Sequence, residues 1–92
     1  MRLEAQARFW TDIAGISSKS IKTEALHFVD DVAHLSFSQL YNSYSFKQMK
    51  THAAHYSLRI GDYRLGCRYD RGRDTLVLMR ILPREIVYDH FP

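Results

Sequence analysis

Apolar positions change period along the chain, and the change divides it into a helical half and a strand half. From about Gln6, Phe9, Ile13 and Ile16 recur at helical spacing, with Trp10 beside them. Gly15 and the Ser17-Ser18 pair interrupt that pattern. Ile21, Ala25, Phe28, Val29, Val32 and Leu35 then form one apolar stripe, with Ser18 or Ser20 in place to cap it. Two helices joined by a Gly/Ser turn predict a helical hairpin. Ahead of them, Arg2–Ala5 has the length of a short strand. Residues 36–54, rich in Ser, Asn and Tyr, read mostly as loop.

Period two then takes over. Tyr56, Leu58 and Ile60 alternate with Ser57 and Arg59, and Gly61-Asp62 is the signal of a two-residue type II′ hairpin turn. Tyr63, Leu65, Cys67 and Tyr69 alternate with Arg64, Gly66 and Arg68. If Gly61 and Asp62 form the loop, Ile60 faces Tyr63, Arg59 faces Arg64, Leu58 faces Leu65, Ser57 faces Gly66, Tyr56 faces Cys67 and His55 faces Arg68. Tyr56, Leu58, Ile60, Tyr63, Leu65 and Cys67 then make the core side. Thr75–Leu82 is apolar on both faces, as a central, covered strand is, and Pro83 ends it. Tyr56, Leu58, Leu65, Cys67, Val77 and Met79 are expected to bury against Phe9, Ile13, Phe28 and Val32. The predicted fold is a single α+β domain over residues 1–92, with an N-terminal helical hairpin packed on one face of a small, mainly antiparallel C-terminal sheet.

Composition narrows the function classes. Thirteen Lys and Arg against ten Asp and Glu leave +3, but the charge is uneven. Residues 1–46 hold four Lys/Arg and five Asp/Glu, whereas residues 47–92 hold nine and five. Positive charge concentrated on the strand half points to an anionic partner there. A single cysteine, Cys67, allows no intrachain disulfide and fits a reducing cytoplasm. No apolar run approaches a membrane span, and the first residues do not read as a signal peptide. HExxH, CxxC, GxSxG and GxxxxGK[ST] are all missing, so no metal, cofactor or acyl-transfer chemistry is expected.

The polar side of the hairpin carries His55, Ser57, Arg59, Arg64, Gly66 and Arg68. Two arginines directly across an antiparallel pair repel one another. An anion between them removes the penalty, because a guanidinium fork matches phosphate. Gly66 in mid-strand leaves room for a ligand at the backbone. A solvated surface, with Asp62, Asp70 or Glu85 neutralising the arginines, accounts for the same residues equally well. The DRGRD loop reads as a charged turn, and His27 and His34 as surface or half-buried positions.

Two segments, YSLRIGDYRLGCRYD and DTLVLMRILPREIVYDHFP, resemble the RelE/ParE superfamily of toxins from bacterial type II toxin–antitoxin systems. The family's R-x-G-D-Y-R strand end is matched by Arg59-Ile60-Gly61-Asp62-Tyr63-Arg64. Its C-terminal basic-to-tyrosine motif is matched by Arg84-Glu85-Ile86-Val87-Tyr88, followed by Phe91-Pro92. FKQMK, Phe46 to Lys50, looks like the basic approach to the first core strand. The resemblance covers about the last forty residues most strongly. It implies a RelE-like fold and a toxin held inactive by an acidic cognate antitoxin. It also implies a metal-independent, ribosome-dependent endoribonuclease, an mRNA interferase acting in the A site of the small ribosomal subunit. By position, Arg59, Arg64 and Arg84 would stabilise phosphate charge, and Tyr88 would stack on a base or orient the reacting group. Lys47, Lys50 and Arg68 would bind substrate. The same superfamily includes ParE-like inhibitors of DNA gyrase, which need no such chemistry, and a decayed toxin that only binds its antitoxin is a third possibility.

Two departures from the pattern bear on activity. Pro83 stands where many members carry histidine, and Ser57 and Arg59 stand where the ribosome-dependent nucleases place lysines. Arginine is a poor general base, so the proton acceptor must be sought elsewhere. His55, on the arginine side, is the first candidate and His90 the second, since an imidazole exchanges protons near neutral pH. Both also read as ordinary surface histidines.

Overall fold

The computed structural model describes residues 1–92. Its elements run β1 (Arg2–Ala5), α1 (Ala7–Ala14), α2 (Lys19–His34), α3 (Phe37–Ser43), β2 (Phe46–Gln48), β3 (His55–Ile60), β4 (Tyr63–Asp70), β5 (Thr75–Pro83) and α4 (Arg84–Val87). The five strands lie in the order β1-β5-β4-β3-β2. The sheet is mixed, not mainly antiparallel as expected, because β1 joins β5 in parallel, Arg2 opposite Thr75 through Ala5 opposite Leu78. Nothing local in four residues announces that partner; it is set by where the chain re-enters the sheet.

Helix boundaries follow local chemistry. The Ser18 hydroxyl accepts the Ile21 N–H at 3.3 Å and caps α2. A second cap lies in the stretch expected to be loop. Ser36 and Gln39 form a reciprocal capping box, with the Gln39 N–H donating to the Ser36 hydroxyl and the Ser36 N–H donating to Gln39 Oε1. This box starts α3 and buries Leu40, and β2 follows it. The Ser/Asn/Tyr composition that reads as loop thus hides a short helix whose signal is S-x-x-Q, and a three-residue strand.

The β3–β4 hairpin has the expected register from Ile60–Tyr63 to His55–Arg68. Gly61 takes a positive φ of 59° at the turn, and a Cβ there would collide with Ile21 Cδ1. Leu58, Ile60, Leu65 and Cys67 enter the core with Phe9, Ile13, Phe28 and Val32, and Tyr56 and Tyr63 pack against it half-buried. On β5 the expected pair is corrected. Leu76, Leu78 and Ile81 are the core residues; Val77 is buried outside that cluster, and Met79 is only half-buried. A strand apolar on both faces does not reveal which parity faces the helices. A bulge opposite Gly66 and Cys67 then shifts the alternation, leaving Met79 without a ladder partner.

Where β1 ends at Ala5, the edge of β5 would be left open. The Asp12 carboxylate of α1 closes it, accepting the Ile81 N–H at 3.0 Å and two Arg80 N–H groups at 2.8 and 3.0 Å. No helix is long and apolar enough to cross a membrane.

Candidate functional site

Residues 84–92 return across the sheet face opposite the main core. The Arg84 N–H donates to the Asp62 carbonyl at 3.0 Å, tying the start of α4 to the hairpin turn. Val87 and Phe91 are buried there. The Phe91 ring occupies the space over Gly66, where an added Cβ would come within 2.5 Å of it. Gly66 therefore makes room for the chain's own phenylalanine, not for a ligand as its mid-strand position suggested.

Between this returning segment and strands β2–β4 lies a groove of about 440 Å³, lined by Ser45, Lys47, Ser57, Arg59, Arg64, Arg84, Glu85 and Tyr88. Three separate stretches converge on it. Lys47 sits opposite Ser57 in the β2–β3 ladder, Arg59 opposite Arg64 in the β3–β4 ladder, and Arg84 and Tyr88 come from α4 and its end. Four cations face one carboxylate, Glu85.

None of the four cations is ion-paired. The arginines that serve the scaffold are: Arg80 binds Asp12, and Arg73 binds Glu4 at 2.8 Å. The carboxylates of Asp62, Asp70 and Glu85, which could have neutralised the face, form no ion pair with the guanidinium groups of Arg59, Arg64 or Arg84; Asp70 approaches Arg73 instead. Arg64 donates only to main-chain oxygens of its own turn, Tyr63 at 2.9 Å and Gly61 at 3.3 Å. A phosphate can compete for such a donor, because its oxygens carry negative charge and match the guanidinium fork, whereas the carbonyls are neutral.

Tyr88 is half exposed, yet its hydroxyl is fixed 3.1 Å from the hydroxyl of Ser57, which is buried. One end of the ring is thus anchored on β3, while a face remains open for stacking. The buried Ser57 thus supports Tyr88 from below.

The remaining expected residues lie outside the groove. His55 is four residues from Arg59 along β3, roughly 13 Å at strand rise. Its ring packs near Phe91 and His52, and its Nδ1 lies 3.0 Å from the Ala53 carbonyl oxygen. Arg68 pairs with His55 at that same far end. Lys50 lines a neighbouring depression shared with Lys47 and Tyr88. His90 is exposed and does not line the groove. Ser45 and Glu85 were not anticipated as site residues; Glu85 stands next to Arg84 in the motif and was read only as a counter-charge.

The chain is thus a small α+β protein whose sheet carries helices on one face and a cationic, tyrosine-bearing groove on the other. No family model matches the chain. It is 37% identical over 46 residues to Toxin RelE3 of Methanocaldococcus jannaschii, a match spanning half of this chain and half of that protein. It superposes on the RelB–RelE antitoxin–toxin complex from Methanococcus jannaschii with a TM-score of 0.81, covering 97% of this chain and 99% of that one at 22% identity. The RelE–RelB complex from Pyrococcus horikoshii gives 0.72, over 90% and 93%, at 15% identity. The chain thus has a RelE-like fold, and over half its length it is similar in sequence to a RelE toxin.

Proposed function

We propose that the chain is the toxin of a toxin–antitoxin pair and cleaves mRNA on the ribosome. The observation that carries this reading is the groove itself: four cations without ion-pair partners surround an anchored tyrosine on the face the helices leave free. Such a site suits a ribose–phosphate backbone with a base stacked beside it. In the reaction, the ribose 2′-oxygen attacks the adjacent phosphorus, the bond to the 5′-oxygen breaks, and a cyclic phosphate and a 5′-hydroxyl result. Arg59, Arg64 and Arg84 stabilise the charge that builds on the phosphoryl oxygens, and Tyr88 holds the base. Lys47 and Lys50 guide the strand. An acidic antitoxin segment covering the same groove would silence the protein by charge complementarity, and its affinity would weaken with added salt.

Induction in cells, followed by mapping of mRNA 5′ ends and measurement of plasmid supercoiling, tests the proposal. New 5′ ends within translated frames support it. Altered supercoiling without new ends would place the chain with toxins that inhibit gyrase. Growth unaffected in both assays would leave antitoxin binding as its remaining activity.

A further inference from the structure

The cleavage reaction needs a group to take the 2′-hydroxyl proton, and the residues lining the groove narrow the choice to one. Charged lysine and arginine are donors only, Lys47 is exposed and lacks the burial that makes a lysine a base, and the Ser45 and Tyr88 hydroxyls accept a proton far less readily than a carboxylate. Ser57 is buried and committed to the Tyr88 hydroxyl. His55 and His90 do not line the groove. Glu85 lines it, is exposed, and makes no side-chain hydrogen bond or ion pair. A carboxylate among phosphate-binding cations repels the substrate it adjoins. A groove built solely to hold an RNA backbone is better without it.

Resting on the nuclease reading above, we propose that Glu85 is the catalytic residue that accepts the 2′-hydroxyl proton. The proton moves to a Glu85 carboxylate oxygen as the 2′-oxygen–phosphorus bond forms. The phosphorus–5′-oxygen bond breaks, water protonates the departing 5′-oxygen, and the resulting hydroxide recovers the proton from Glu85. Arg84, one residue earlier, contributes charge stabilisation to the same groove.

The test uses ribosomes programmed with a defined mRNA, measuring single-turnover cleavage, and binding to the same complex carrying a 2′-deoxynucleotide at the cleaved position. Wild type is compared with Glu85→Gln, which is isosteric and removes no contact the fold uses. The expected result is cleavage slowed about 100-fold or more, the range of general-base catalysis, with binding unchanged or tighter. A purely electrostatic bystander gives the opposite sign, and cleavage by Glu85→Gln as fast as wild type overturns the assignment. Parallel loss of binding and cleavage overturns it too, since the residue would then be holding substrate. Should wild type itself leave the mRNA intact while binding the ribosome, the nuclease reading fails, and the role of Glu85 with it.

Discussion

Arg64→Ala separates a binding surface from a structural one. In the folded protein Arg64 contributes two hydrogen bonds to carbonyls of its own turn, at 2.9 and 3.3 Å, and is only half-buried. Bonds from a charged donor reach about 1.5–3 kcal/mol when buried, but these are local and open to water, which brings each down to roughly 0.5 kcal/mol. Against this, Arg59 lies directly opposite in the ladder. Removing a like-charge cross-strand pair returns about 0.2–1 kcal/mol. The two terms nearly cancel, so stability should stay within about 1 kcal/mol of wild type. For a domain of this size that is a shift in Tm of at most about 4–8 °C. Loss of a charge-assisted contact to phosphate costs roughly 1.5–3 kcal/mol, which is about 10- to 150-fold in rate. Melting temperature and growth arrest should be measured beside Arg71→Ala, an exposed loop arginine with no ion pair. A folded Arg64→Ala that arrests growth as strongly as wild type would show that the groove is not the active surface. An unfolded one would show that the arginine is a structural member of the hairpin.

Ser57→Ala should lower stability by about 1 kcal/mol and reduce activity, because the Tyr88 hydroxyl loses its buried partner; fluorescence anisotropy of the tyrosines should fall as the ring loosens. Gly66→Ala drives a methyl group into the Phe91 ring. Ejecting a buried phenylalanine costs about 3–5 kcal/mol, so urea unfolding should shift strongly, and a near-native midpoint would mean that residues 84–92 do not pack over β4 as described. Burial pushes the Cys67 thiol up, and burial together with the Asp31 carboxylate pushes the Tyr44 hydroxyl up. Both groups therefore stay protonated when folded but ionise when unfolded. Their contribution to stability should be constant below about pH 8, where an unfolded cysteine begins to ionise, and fall above it at up to about 1.4 kcal/mol per pH unit for each group. Cys67→Ala should move the onset toward about pH 10, the range of an unfolded tyrosine; an unchanged onset would assign the alkaline loss to other groups.

The hairpin was fully legible in the sequence. Alternation of Tyr56, Leu58 and Ile60 against Ser57 and Arg59, closed by Gly61-Asp62, admits a single register that buries the apolar set, because a one-residue slip would turn every side chain over. The stripes of α1 and α2 were legible for the same reason: 3.6-residue periodicity is a local property. So was the convergence of Arg59 and Arg64, which is a matter of ladder partners. Tertiary structure decided the rest. β1 is too short to carry a pattern and finds its parallel partner seventy residues away. The parity of β5 was hidden because both faces are covered, and a bulge with no sequence signature resets it. Above all, the site depends on how residues 84–92 cross the sheet. That return path puts Phe91 over Gly66, places Arg84, Glu85 and Tyr88 beside Arg59, and leaves His55 at the far end of its strand. Periodicity assigns a side chain to a face; which segment comes to lie across that face is fixed only by long-range packing.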